Sequence, residues 1–273
     1  MRRGLSRFVL PAFATLVVIF LFAPIGVMIA FSFNNPLGRQ NITWQGFTLD
    51  NYLTVWNRPD ITDPMITSLS IALISTLVAT IFGTMIAISL SRYEFRGRGP
   101  MNLLIFVPMT APEVILGASM LTLWISLGTA RGFLTILVAH VMFNISFVVV
   151  TLRARLAGLN RSLEEAGMDL YANGWTTFRK VTFPIIFPGI LAAALLAFAL
   201  SIDDYVITSF NAGHTVTFPL WVFGVSRLGI PPEVNVLGTL VFLVALLFIA
   251  VQYWSQRRQG RGAEAGPVTL VGR

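Results

Sequence analysis

The sequence contains no cysteine, one lysine and two histidines. Without cysteine there is no disulfide, no thiolate metal site and no thiol chemistry. The single lysine, Lys180, follows Arg179, so no Gly-x-x-x-x-Gly-Lys-Ser/Thr phosphate loop exists, and this chain does not hydrolyse ATP by that route. His140 and His214 form no His-Glu-x-x-His pair, and there is no Gly-x-Ser-x-Gly elbow. No internal repeat runs at a fixed period. Charge is also scarce. At 11% charged and 55% hydrophobic residues, with a mean hydropathy of +0.77, too little polar surface remains to cover a water-soluble domain of 273 residues.

What is present is a series of long apolar runs. A helix crossing the hydrocarbon core takes roughly 20 apolar residues, and strand-barrel alternation would not give such windows. The expected fold class is therefore an all-α integral membrane protein. It forms one transmembrane domain over residues 1–273, with six spans near 8–33, 64–91, 101–127, 132–152, 184–209 and 234–256. The first run is too long for a signal-peptide core and is read as a span. Six spans put both termini on one side. Fifteen of the 19 basic residues fall before the first span, after the second, after the fourth and in the tail; only Arg39, Arg58, Arg131 and Arg227 lie in the other loops. Arg2, Arg3, Arg7, Arg92, Arg96, Arg98, Arg153, Arg155, Arg161, Arg179, Lys180, Arg257, Arg258, Arg261 and Arg273 thus assign both termini and the loop at 153–184 to the cytoplasm. The net charge of +7 is then a topology signal that needs no nucleic acid. The tail, 257–273, is Gly-rich and expected to be mobile.

The loop after span four is the strongest local signal. Ser162 is placed to cap a short helix whose first turn carries Glu164 and Glu165, acids favoured at the positive end of the helix dipole. Asn173-Gly174 supplies a turn, Trp175 to Val181 a second short helix, and Pro184 and Pro188 mark re-entry into the membrane. Two short helices with acids and an exposed Trp form a docking surface. The alternative is a solvated loop whose charges keep it in the cytoplasm.

Glu165-Ala166-Gly167 followed by Val181-Thr182-Phe183-Pro184 resembles the E-A-A, G, I-x-L-P coupling loop of ABC importer permeases. The segments TWQGFTLDNY, SRYEFRGRG, SIDDYVITSF and PPEVNVLGT, in that order, look most like the polyamine (spermidine/putrescine) permeases of that family. The resemblance covers nearly the whole chain. It implies a type I importer fold in the bacterial inner membrane, paired with a second homologous permease. It also implies a docked ATPase dimer that binds ATP and Mg, and an external polyamine-binding protein that delivers substrate. No cofactor or metal belongs to this chain. The resemblance assigns ATPase coupling to Glu164, Glu165, Ala166, Gly167, Asp169, Tyr171, Gly174 and Pro184, with Glu165 in a cleft of the ATPase. Gly167 stands where the family has a second Ala, and Tyr171 where it has Gly. Since Tyr is strained at positive φ, Asn173-Gly174 is expected to take over the turn.

Membrane-embedded acids carry the substrate chemistry. Glu113 lies about 18 Å into the third span, and Asp203 about 22–28 Å into the fifth. Ionised carboxylates at such depth face a water-filled path or a partner. Spaced acids with apolar and aromatic surface between them would complement a flexible polyamine. Glu113, Asp203, Asp204, Ser201 and Trp44 are the candidate pathway residues. Adjacent helical residues diverge by about 100°, so at most one of Asp203 and Asp204 faces the pathway, while the other bonds a neighbouring helix or the second permease. Bland alternatives stand beside each: Glu113 as stabiliser of a helix renewed after Pro108 and Pro112, the Asp pair as a solvated helix end, Trp44 as an interfacial anchor. His140 reads as a hydrogen-bonded packing residue rather than a proton relay. The alternative cargoes are ferric ion, sulfate or an amino acid; the alternative class is a stand-alone membrane enzyme or channel.

Overall fold

Backbone polar groups in lipid must be satisfied within the chain, and helix does this locally. The computed structural model describes residues 3–38, 40–160 and 162–264; Arg2, Arg39, Arg161 and Arg273 of the charge asymmetry, and residues 265–273 of the tail, lie outside them. Among the described residues there is no strand, only an isolated bridge between Asn34 and Phe47. The long helices are α1 (Arg3–Ser32), α3 (Pro59–Arg92), α6 (Phe133–Ala157), α9 (Phe183–Ile202) and α12 (Pro232–Glu264). Between them lie α2 (Asp50–Thr54), α4 (Arg98–Thr110), α5 (Glu113–Ser126), α7 (Ser162–Asp169), α8 (Gly174–Thr177), α10 (Val206–Asn211) and α11 (Phe218–Ser226). Against the six spans expected, four helices are long and apolar enough to cross a membrane, and α4 with α5 make a fifth when the bent pair counts as one. The apolar stretch Pro232–Phe248 of α12 is shorter than these.

Four expectations about helix extent are corrected. Residues 101–127 do not form one straight span: α4 and α5 meet at 109°. Ala111 is extended because the residue before a proline is pushed out of the α region, and Pro112 brings no N–H of its own. The helix expected over 184–209 stops at Ile202 and restarts at Val206, because the Asp204 carboxylate takes the N–H groups that begin α10. The helix start expected at Pro184 lies inside a continuous helix from Gly174 to Ile202. It passes through a π turn, Phe178–Thr182, in which the Phe183 N–H reaches back to the Phe178 carbonyl. The widened turn makes room for Pro184, which cannot donate and would crowd a tighter helix. α12 likewise runs on through Glu264, past the limit expected at residue 256.

The chain divides into two units, residues 1–59 with 225–273 and residues 60–224. In the first, α12 packs along α1, with Gly238 close against the Met28 side chain, and Arg58 forms an ion pair with Glu233 at 3.0 Å.

In the second unit, α6 lies against stripes of small residues. Every fourth residue of α3 (Ser75, Ala79, Gly83, Ala87) and of α9 (Gly189, Ala193, Ala197, Ser201) is small. Every fourth residue of α6 (Ile136, His140, Asn144, Val148, Leu152, Leu156) fills the space they leave. Small residues allow the close backbone approach on which helix association in lipid depends. A Cβ added at Gly83 would fall 2.6 Å from Val148 Cγ1 and 2.8 Å from its Cβ, atoms of a stiff β-branched side chain. Gly83→Leu should therefore cost about 1–3 kcal/mol by overpacking, read as a lower thermal midpoint of the purified protein in detergent. An unchanged midpoint would show that α3 and α6 do not approach this closely.

Candidate functional site

Two regions of the second unit gather the sequence-predicted residues. The first is the break between α9 and α10. The two adjacent acids part here: the Asp203 side chain is exposed, while that of Asp204 is 7% exposed. Asp204 Oδ1 accepts from the Ile207 N–H at 3.3 Å; its Oδ2 accepts from the Thr208 N–H at 2.7 Å and the Thr208 hydroxyl at 2.8 Å. His140 Nε2 stands 3.3 Å from the same Oδ2 and 2.9 Å from Thr208 Oγ1; its Nδ1 is 2.6 Å from Ser201 Oγ, which lies 3.0 Å from Ser75 Oγ.

These partners fix the directions of donation. The ionised Asp204 only accepts, so Nε2 carries the ring proton and Ser201 donates to Nδ1, while the Ser75 hydroxyl divides its one hydrogen between Ser201 Oγ and the Ala72 carbonyl, 3.2 Å away. The polar contacts thus run from α3 through α9 and α6 to Asp204. His140 is therefore the hydrogen-bonded residue expected from the sequence. A Ser-His-Asp order also occurs in hydrolases. Here the Ser201 hydroxyl is buried, 5% exposed, and shared with Ser75, so nothing reaches it as a nucleophile in this arrangement.

Glu113 opens α5 as an exposed residue in its first turn, the placement that also suits a stabiliser of the renewed helix. Gly117 lies against Phe210 and Ile207, and the Trp124 indole N–H donates to Asn211 at 2.7 Å. α5 and α10 thus run in the same direction, which brings Glu113 to the end of the pair where the Asp203 break lies. Tyr205 packs against Phe223 there, the rings tilted by 39° with centroids 4.6 Å apart. Trp44 belongs to the other unit. It is 51% exposed, edge-on to Phe31, in a loop pinned by Asn34, whose amide bonds Asn41 and the Thr43 carbonyl and accepts from the Gln45 N–H.

The second region is the segment from Ser162 to Pro184. Ser162 lies inside α7 and does not cap it from outside; its N–H is taken by the Asn160 side chain at 3.0 Å. Glu165, Ala166 and Asp169 are exposed, whereas Gly167 turns toward Thr177 and Val181. Glu164 is half-buried. Its Oε1 accepts from Arg92 at 2.8 Å and from the Thr182 hydroxyl at 2.7 Å. Leu163, Met168, Leu170, Tyr171 and Trp175 expose about half or more of their surface beside the outward acids.

The expected shift of the turn to Asn173-Gly174 is overturned. Tyr171 itself holds φ 61°, the only positive-φ non-glycine among the described residues. The Ala172 N–H bonds the Gly167 carbonyl and the Tyr171 N–H the Met168 carbonyl, the pair of bonds that closes a helix with a left-handed residue. Asn173, with extended backbone, instead caps α8 by accepting from the Thr176 N–H. The left-handed turn sits at Tyr171 at a steric cost, so Tyr171→Gly should stabilise the segment by about 1 kcal/mol, seen as slower amide exchange in α7. Faster exchange would count against the left-handed Tyr171.

Arg92, Thr182, Thr208 and Ser75 were missed from the sequence. Thr208 stands four residues after Asp204, and Ser75 and Ser201 both belong to small-residue stripes, signals that only gain meaning once the helices are paired.

A family model, binding-protein-dependent transport system inner membrane component, matches residues 79–263. The chain is 34% identical over 259 residues to the spermidine/putrescine transport system permease protein PotC of Escherichia coli (strain K12), covering 94% of this chain and 97% of that protein. It is 39% identical over 230 residues to the putrescine transport system permease protein PotI of the same organism, covering 81% of each. Its fold matches a chain of a bacterial ABC transporter involved in the import of the acidic polysaccharide alginate, with a TM-score of 0.63 at 18% identity, over 94% of this chain and 98% of that one. This multi-pass membrane chain belongs to the binding-protein-dependent transport system inner membrane component family.

Proposed function

We propose that this chain is the permease subunit of an ATP-driven importer of polyamines. It provides, with a second permease, an alternating-access pathway for spermidine or putrescine. The observation that carries the reading is the exposed Asp203 carboxylate at a helix break, beside a buried partner acid, in a chain 34% identical to PotC along 94% of its length. A cationic substrate suits such an acid, and Glu113 at the same end of α5 and α10 supplies a second at a distance. Ser201 acts from behind, through His140, on the placement of the Asp204 carboxylate. Sulfate, one of the alternative cargoes, is disfavoured by the same acids.

In this reading the segment 162–184 faces the cytoplasm and meets an ATPase dimer, which binds ATP and Mg. A binding protein delivers substrate at the opposite face, and both termini are cytoplasmic. The basic residues before the first span, after the second and after the fourth support that orientation. The ATPase surface consists of Glu165, Ala166 and Asp169 with the exposed Leu163, Leu170, Tyr171 and Trp175.

The test is uptake of radiolabelled spermidine and putrescine by cells lacking their own systems, with this chain expressed beside its partner ATPase, permease and binding protein. Saturable, ATP-dependent uptake lost on omitting this chain is expected. An assembled complex that takes up no polyamine would overturn the substrate.

A further inference from the structure

We propose that Glu164 is a latch inside the permease. Resting on the ATPase-docking reading above, this latch transmits the position of α7 to the Asp203 break through α3 and α9. The geometry begins with one oxygen. Glu164 Oε1 takes the Arg92 guanidinium at 2.8 Å and the Thr182 hydroxyl at 2.7 Å, and the ion-paired side chains are only 18% and 14% exposed. Arg92 is the last residue of α3, Thr182 closes the π turn that leads into α9, and Glu164 lies in the first turn of α7. Each charge also suits its helix end, the cation at a C-terminus and the acid at an N-terminus, so the pair holds three chain segments at once.

The far ends of the same two helices meet again. Ser75 of α3 and Ser201 of α9 join by their hydroxyls at 3.0 Å, and Ser201 continues through His140 to Asp204. Seventeen residues of α3 separate Arg92 from Ser75 and nineteen of α9 separate Thr182 from Ser201, a distance of about 25–29 Å along each helix. Two rods therefore run from the latch to the break, joined at both ends by polar contacts, with α6 packed along their small-residue stripes. A displacement of α7 applied at Glu164 moves both rods together, and the Asp203–Tyr205 break is where the helical ladder of α9 is already interrupted and yields most readily. Beside the latch, α7 meets the α8 segment through Gly167, whose neighbours Thr177 and Val181 lie at ordinary van der Waals distance. Glu164 is thus a positioning residue for coupling, acting through Arg92 and Thr182, distinct from the outward Glu165.

The absence of native cysteine permits a direct readout. Tyr93→Cys and Met168→Cys, both at exposed positions, are spin-labelled in the complete complex, and the inter-label distance is measured beside ATP hydrolysed per spermidine imported. Glu164→Gln and Arg92→Glu should each broaden the distance distribution and raise ATP consumed per substrate by roughly fivefold or more. The exchanged pair Arg92→Glu with Glu164→Arg should narrow the distribution and lower the ratio again. A wild-type distance or a wild-type ratio in both single variants overturns the latch. Co-purified ATPase separates this failure from that of the docking reading. An ATPase that never associates with the unaltered chain removes docking, while the distance measured on the permease still decides whether Glu164 holds α7.

Discussion

Asp203→Asn should lower polyamine uptake at least about tenfold, equivalent to 1.4 kcal/mol of lost interaction with a cation, while leaving the amount of folded protein unchanged. Its neighbour should behave in the opposite way. Asp203 is exposed and follows the last turn of α9, so its loss removes a charge but no internal partner. Asp204 is buried and accepts from two backbone N–H groups, the Thr208 hydroxyl and His140. Asp204→Ala removes the cap of α10, worth about 1 kcal/mol. It also strands the buried Thr208 N–H, for about 1–3 kcal/mol more. The expected result is a large fall in thermal midpoint and in membrane yield, with the connection of α9 to α10 loosened. Both variants are read by the same pair of measurements, uptake per unit of folded permease and thermal unfolding in detergent. Equal loss of folded protein in both would show that Asp203 is also structural. Normal uptake by Asp203→Asn, at full expression, would remove it from the pathway. Glu113→Gln is expected to follow Asp203→Asn, because it too is an exposed acid at the start of a helix.

Glu165→Ala should separate ATP hydrolysis from import without unfolding the permease. The side chain is exposed on α7 and makes none of the contacts that hold Glu164, so the change in stability should stay within about 0.5 kcal/mol. Around it, Trp175 is 69% exposed, Leu170 81% and Tyr171 100%. Large apolar groups left this open beside acids mark a surface that a protein covers, and such interfaces concentrate their energy in a few aromatic anchors. Trp175→Ala should therefore weaken ATPase association, whereas Glu165→Ala should spare association and abolish stimulation of import. ATPase retained on affinity-purified complexes, together with the ratio of ATP hydrolysed to substrate imported, distinguishes the two. Wild-type import by Glu165→Ala would remove this residue from the coupling surface.

Much of this molecule could be read directly from its residues. Apolar windows of more than 20 residues with almost no charge demand helices in a membrane, because that is a property of each segment and its solvent. The segment at 162–184 was partly legible for the same reason: acids in a first turn and a following pair of prolines are local signals, and they fall on α7 and the start of α9, whereas the cap expected at Ser162 and the turn expected at Asn173-Gly174 did not hold. The prolines also marked the break before α5.

Choices made between segments were not legible. Nothing local separates Asp203 from Asp204; burial of one and exposure of the other follow from where α6 brings His140. Nor does the sequence of α7 show that Glu164 points inward to Arg92, seventy-two residues earlier, while Glu165 points out. Local steric preference even gave the wrong turn, since Tyr171 is held left-handed by the bonds that close α7. The sequence by itself determined the solvent, the helices and the family likeness, because these depend on composition and short-range pattern. The tertiary structure alone decided which of two adjacent acids is a partner and which is free, because burial and pairing depend on residues distant in the chain.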